Sequence, residues 1–182
     1  MTDMIIPRDG DPGFVPVVVV GAGHAGAEAA LASARLGVDT LLLSLDLSTV
    51  ALMPCNPSIG GPGKGHLVRE IGALGGEMAA CIDACALQMK WLNTSKGPAV
   101  RARRAQADKH RYRERMTATL FAQPRLSLRQ EHVQEILVTG GRVAGVRTET
   151  GTIFGCRSLV IATGTYLCSR IILGRMSWES GP

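Results

Sequence analysis

Residues Phe14 to Ser44 read FVPVVVVGAGHAGAEAALASARLGVDTLLLS, and this stretch decides the fold. The apolar, valine-rich run Phe14 to Val20 predicts a strand buried on both faces in a parallel sheet. It leads into GAGHAG, Gly21 to Gly26, followed by an alanine-rich helix over Ala27 to Leu36 that stops at Gly37. Val38 to Ser44, VDTLLLS, predicts a second buried strand. Strand, glycine turn, helix and strand within about 30 residues make a βαβ unit. A lone GxGxxG says little; one placed between a strand and a helix points to a dinucleotide. Gly21 then permits the tight turn, Gly23 lets backbone approach the pyrophosphate, and Gly26 lets helix and strand pack closely. Ala22, His24 and Ala25 complete the turn, whose helix N-terminus offers N–H groups and partial positive charge to phosphates. An acid about 20 residues on, which would bind the ribose, is missing. Ser44 ends the second strand and Asp46 follows it, so either Ser44 contacts the ribose or Asp46 bends back to it. That departure tells against a plain NAD dehydrogenase.

Further along, the period changes to two, with strands expected at Leu126–Gln130, Val133–Val138, Arg142–Thr148 and Thr152–Cys156 and a turn at Gly140-Gly141. The segment 126–156 is thus read as an inserted antiparallel β-meander. LVIATG, Leu159 to Gly164, closes it as another buried strand ending in Thr163-Gly164. A meander followed by an A-T-G strand is similar to two-dinucleotide-domain flavoproteins and favours FAD as the first cofactor. The fold expectation is α/β: a Rossmann-like, glutathione-reductase-like FAD-binding fold with a parallel sheet and that meander inserted.

Between the βαβ unit and the meander lie two unusual segments. Ser48 to Gly65, STVALMPCNPSIGGPGKG, is too long for a plain connector. Its GGPGKG fails as a P-loop, because Ser58 stands where the first glycine belongs and Gly65 where Ser or Thr should follow Lys64. A helix follows, with Leu67, Val68, Ile71 and Leu74 as its apolar stripe. Cys55, between Pro54 and Pro57 and upstream of a helix start and Lys64, is either an activated nucleophile or a buried packing thiol. The second segment, 90–123, is read as basic and helical, a long helix starting at Gly97-Pro98 and closed by Pro124. Lys90 to Arg115 holds nine of the chain's 20 basic residues against two acids, although the whole chain is only +5. That cluster is either a solvated face or a polyanion site, with Lys96, Arg101, Arg103 and Arg104 as nucleic-acid candidates.

Composition sets the remaining bounds. At 46% apolar and 19% charged over 182 residues, the chain is no disordered tail and is long enough for one core. No apolar run reaches the ~18 residues of a membrane span, and MTDMIIPRDGDPG does not resemble a signal peptide, so a cytoplasmic protein is expected. Five cysteines without a CxxC pair argue for reduced thiols, and no metal site is expected.

Three blocks carry a resemblance: GAGHAGAEAALASARLG, PCNPSIGGPGKGHLVREIGALGG and NTSKGPAVRARRAQAD. They closely resemble the N-terminal region of the tRNA uridine 5-carboxymethylaminomethyl modification enzyme family (MnmG, also called GidA), from about Val17 to Gly174. The family likewise has no acid at the end of its second strand. The resemblance implies FAD held at Gly21 to Gly26, Val133 meeting the adenine through its backbone, and Cys55 as the nucleophile toward a uridine. It implies NADH as reductant, methylene-tetrahydrofolate as carbon donor through the flavin, and a homodimer working with an MnmE-type GTPase on the wobble uridine of tRNA. It also implies that 1–182 is the N-terminal portion of an FAD-binding domain, lacking an NADH-binding insert and a helical C-terminal domain, and inactive alone. The alternatives are a flavin-dependent NADH oxidoreductase acting on small molecules and an inactive nucleotide-binding remnant.

Overall fold

A computed structural model describes residues 5–54, 56–165 and 169–179. Strand β1 (Val17–Val20) runs into helix α1 (His24–Arg35), which returns to β2 (Thr40–Ser44). Next come β3 (Ser58–Gly60), α2 (Lys64–Ala73), α3 (Glu77–Cys85), β4 (Ala86–Leu92) and β5 (Ala102–Ala107). Helix α4 (Lys109–Ala122) leads to β6 (Leu126–Gln130). Then follow β7 (Val133–Thr139), β8 (Arg142–Thr148), β9 (Ile153–Gly155) and β10 (Ser158–Ile161). A hairpin of β11 (Arg170–Leu173) and β12 (Met176–Glu179) comes last.

The main sheet has the order β10-β1-β2-β6, parallel throughout, with Val17 opposite both Ser158 and Thr40, and Thr40 opposite Leu126. That is the Rossmann-like order the sequence predicts. Alternation along the strands divides the core between two faces. Val19 and Leu42 pack with Ala27, Ala30, Leu31, Tyr112, Met116 and Leu120 from the helices. Val18, Leu41 and Leu43 pack with Val146 and Phe154 from the sheet β7-β8-β9. All five strand residues are at most 2% exposed, which is why both strands read as unbroken apolar runs.

Three sequence expectations need correction. The closing strand LVIATG is not buried: β10 is the edge of the sheet, with Val160 37% and Ile161 56% exposed. The meander is 133–155 rather than 126–156, because Leu126–Gln130 pairs in parallel with β2. A strand reached through α4 completes a second crossover unit, so its residues join the sheet rather than the hairpins. The basic segment 90–123 is not one helix from Gly97. Its first part is strand: β4 and β5 pair with each other, and β5 also pairs with β3, in a three-stranded antiparallel sheet. Helix-favouring ARRAQA is extended because Ala102, Ala105 and Ala107 are buried between neighbouring strands while Arg103 stays exposed. Packing overrides propensity here. Asp108 then caps α4, accepting from the N–H groups of His110 and Arg111 at 3.1 and 3.2 Å.

Candidate functional site

All strands of the main sheet end on one edge, so Gly21, Ser44, Gln130 and Ala162 meet there, the edge where parallel α/β sheets bind ligands. Gly21 has φ +101°, a left-handed backbone that glycine tolerates, and its N–H donates to Leu43 O at 2.8 Å. A Cβ on Gly21 would strike the Ala162 carbonyl and lie 3.1 Å from the nitrogen of Thr163. A Cβ on Gly26 would run into the Gly21 carbonyl. Gly23 differs: nothing lies within 4 Å of where its Cβ would be. It caps α1 in extended backbone without a side-chain cap, and the first turn carries no acid. Two glycines are therefore used up by packing, and the middle one opens onto free space at a helix N-terminus. A helix start of this kind can take a phosphate group, and the residues present fit the pyrophosphate of a dinucleotide.

Around this helix start, Ala25 is exposed and the carbonyl of Ala22 accepts from Ala51 N at 2.9 Å, tying the following loop to the turn. Thr163 is half-buried and Gly164 exposed, directly after β10. Val133 starts β7 three residues beyond β6 and is partly buried against the second core cluster. The Ser44 hydroxyl donates to the Asp46 carbonyl at 3.2 Å. Asp46 turns its carboxylate to Ser48, accepting from its N–H at 2.7 Å and its hydroxyl at 2.8 Å. These hydrogen bonds hold the Asp46 carboxyl below the usual range.

Beyond the turn, His24 points inward. Its ring lies 5.6 Å from that of Tyr112, and burial holds the imidazole below its ordinary pKa. With Leu52, Met53, Pro54, Asn56, Ser58, Ile59 and Met78 it lines an open cavity of about 300 Å3. Cys55 lies outside the described residues, as does Cys168. A neighbouring cavity of about 710 Å3 shares Asn56, Ser58, Ile59 and Met78 and adds Lys64 and Arg104 above Leu67, Val68, Ile71 and Leu92. Of the stripe expected on α2, Leu67, Val68 and Ile71 line this opening, whereas Leu74 caps the helix end and is 90% exposed.

The four basic candidates do not share one surface. Lys96 is exposed in the loop after β4. Arg101 donates to the Thr94 carbonyl at 2.8 Å and braces that loop. Arg103 and Arg104 are adjacent on a strand and so face opposite ways. Arg103 lies over Trp91, while Arg104 lines the larger cavity. On α4, Tyr112, Met116 and Leu120 are the buried stripe, which leaves Lys109, Arg111 and Arg115 off that stripe. Sequence reasoning missed Trp91, Tyr112 and Glu28. For Trp91 the signal was an aromatic interleaved with cations; Glu28 and Tyr112 act through contacts that no local pattern shows. Among the described residues no His, Cys, Asp or Glu cluster could hold a metal, and no helix is long and apolar enough to cross a membrane.

Comparison with known proteins places the architecture in a family. The sequence model described as Glucose inhibited division protein A matches residues 16–182. The chain belongs to this family, GidA. It is 58% identical over 170 residues to the tRNA uridine 5-carboxymethylaminomethyl modification enzyme MnmG of Heliobacterium modesticaldum, covering 93% of this chain and 27% of that protein. Against MnmG of Bacillus subtilis the identity is 56% over 172 residues, again 27% of the relative. The form II crystal structure of Aquifex aeolicus GidA superposes with a TM-score of 0.85 at 48% identity, over 91% of this chain and 27% of that one. The GidA-related protein of Thermus thermophilus is more distant, with a TM-score of 0.62 at 25% identity, over 90% of this chain and 59% of that one. The chain thus spans about a quarter of the length of its curated GidA relatives.

Proposed function

We propose that this chain is the FAD-binding, amino-terminal part of a tRNA-modifying enzyme that installs a carboxymethylaminomethyl or aminomethyl group on carbon 5 of the wobble uridine. The observation that carries the reading is the contrast within the glycine turn: Gly21 and Gly26 are filled by backbone, whereas Gly23 faces open space. The pyrophosphate lies against Gly23 and the first N–H groups of α1, with Ala22, His24 and Ala25 completing the turn. Ser44 and Val133 lie toward the adenosine half, and Thr163 and Gly164 close the opposite side beside β10. Bound FAD supplies redox chemistry, with NADH as reductant and methylene-tetrahydrofolate as one-carbon donor.

Cys55 is the nucleophile. Its thiolate adds to carbon 6 of the uracil ring, which makes carbon 5 electron-rich and able to attack an electrophilic one-carbon unit; loss of the carbon 5 proton then restores the ring double bond and expels the thiolate. Pro54 and Asn56 flank Cys55 in the chain and line the cavity that begins at His24. Lys96, Arg101, Arg103 and Arg104 supply positive charge for the RNA backbone. The activity belongs to the full-length cytoplasmic homodimer with its MnmE-type GTPase partner, and the isolated chain does not turn over.

The test is Cys55→Ser in the full-length protein, followed by flavin content, tRNA binding and modified-nucleoside yield in one preparation. Retained FAD and tRNA binding with loss of the modified uridine is the expected result, since a serine hydroxyl is far less acidic than a thiol. Normal modification would show that Cys55 is structural.

A further inference from the structure

We propose that the β4–β5 ribbon carries a base-stacking site for unpaired RNA, centred on Trp91 and Arg103; the proposal rests on the tRNA reading above and gives it a place on the surface. Trp91 and Arg103 are direct cross-strand partners, and the guanidinium carbon lies 4.8 Å from the centre of the indole ring. Trp91 is 49% exposed, so a large flat aromatic surface stays open to solvent although Arg103 covers part of it. Met89, two residues before Trp91 and on the same face, is 47% exposed. That face is not apolar by default. It is buried in the main core at Ala105 and Ile59 and opens outward at Met89, Trp91 and Arg103.

Charge selects the occupant. From Ala86 to Ala107 the chain holds five cations (Lys90, Lys96, Arg101, Arg103 and Arg104) and no acid. Arg103 shares the Trp91 face, Lys96 and Arg101 lie at or beside the loop between the two strands, and Arg104 with its cross-strand partner Lys90 lies on the other face. Among the described residues none of the five forms an ion pair with a carboxylate. An exposed aromatic ring with an overlying cation in an unneutralised basic ribbon suits a polyanion whose units carry π-faces. Single-stranded RNA has both properties: bases stack on indole and on guanidinium planes, while phosphates meet the surrounding cations. A duplex has the charge without the free faces, so the site reads unpaired nucleotides. The opposite face of the ribbon, through Arg104 and Leu92, lines the larger cavity beside Asn56 and Ser58, so the platform adjoins the candidate site.

The chain has two tryptophans, so Trp178→Phe leaves Trp91 as its single indole reporter. The probes are an anticodon stem–loop RNA and a blunt RNA duplex of equal length. The stem–loop quenches Trp91 fluorescence saturably and the duplex does not. Trp91→Ala weakens stem–loop affinity about tenfold, within the range of one lost base stack. It leaves the salt dependence unchanged because no charge is removed, and Trp91→Phe restores most of the loss. A matched melting temperature for the Phe variant separates lost stacking from lost folding. Wild-type stem–loop affinity in Trp91→Ala overturns the proposal. If Arg101, Arg103 and Arg104 changed together to Gln then still weaken binding, the basic-surface reading survives while stacking falls; if they do not, both fall. A change of oligomeric state in Trp91→Ala, with RNA affinity intact, would make this face a contact between copies and overturn the stacking site.

Discussion

The imidazole of His24 and the phenol of Tyr112 lie with ring centres 5.6 Å apart, and each holds a buried polar atom, Nε2 and the hydroxyl, without a hydrogen-bond partner. One belongs to the glycine turn and the other to α4, so the contact joins that turn to the helix that follows the basic ribbon. Burial disfavours the charged form of both: the histidine pKa is lowered and that of the tyrosine is raised.

A pH dependence follows for His24. With its folded pKa below the unfolded value of 6.5, both states are neutral above 6.5 and the group contributes no slope there. As pH falls below 6.5 the unfolded chain takes up the proton first, so stability declines through that window toward the folded pKa. Denaturant titrations at about pH 7.5, 6.5 and 5.5 should show this decline, and His24→Leu should flatten it. An equal slope in the variant would place the proton elsewhere.

Tyr112→Phe tests the orphaned hydroxyl. Removing a buried polar group that has no partner relieves a desolvation penalty while keeping the ring's packing, so the variant should be as stable as wild type or more so. A loss above about 1 kcal/mol in chemical denaturation would mean that the hydroxyl is satisfied in solution, by a bound water for example.

Glu28 on α1 holds the start of α3. Its carboxylate accepts from Glu77 N at 2.9 Å and from Met78 N at 2.6 Å, doing from another helix what an N-cap side chain does locally. Arg35, two turns along α1, adds a 2.8 Å ion pair to Glu77. Glu28→Ala should destabilise by about 1–2 kcal/mol, and Arg35→Ala by less, because the Arg35 side chain is 34% exposed. Both act on Glu77, so the double variant should be less destabilised than the summed single losses. Strict additivity would show that the two clamps are independent.

The described thiols are all enclosed. Cys81, Cys85 and Cys156 are buried and unpaired. Burial, with Cys85 beside it, pushes the Cys81 thiol up to about 12, and burial alone raises Cys156. A protonated, enclosed thiol is a poor nucleophile. Iodoacetamide at about pH 8 should leave these three unmodified in the folded chain and label them after denaturation. Peptide mapping that finds Cys81 alkylated in the native protein would contradict this packing. The pair Cys81 and Cys85, one helical turn apart, is thus a core contact, with Cys81 donating to the Tyr112 carbonyl at 3.4 Å.

What the sequence disclosed is what local pattern encodes. The run Val17 to Val20, the Gly21–Gly26 turn and Leu41 to Leu43 announce themselves because a strand covered on both faces must be apolar at every position. The hairpin turn at Gly140-Gly141 was equally plain. The ribbon was not, because ARRAQA carries helix-favouring residues and becomes a strand only by pairing with Ala86–Leu92 across a loop and with Ser58–Gly60 far back in the chain. The stripe on α2 shows a related limit. Periodicity placed Leu67, Val68, Ile71 and Leu74 on one face but could not say that the first three would line a cavity, with Val68 also packed against the core.

The glycine turn gives the most discriminating pair of variants. Gly26 sits inside α1, where alanine would ordinarily add up to about 1 kcal/mol through helix propensity. Here the new methyl meets the Gly21 carbonyl, a backbone atom that cannot rotate away, so α1 must lift from β1. Gly26→Ala should therefore be destabilised by about 1–3 kcal/mol, opposite in sign to the propensity expectation. The Cβ of Gly23→Val meets nothing within 4 Å, and the position has a φ of −67° that any residue adopts, so its melting temperature should stay near wild type. Its isopropyl group instead fills the open space at the helix start, and flavin content should fall to background in the full-length protein. A folded Gly23→Val protein with full flavin absorbance would remove the pyrophosphate from this turn. A Gly26→Ala protein as stable as wild type would show that α1 and β1 have more freedom than their contact at Gly21 allows.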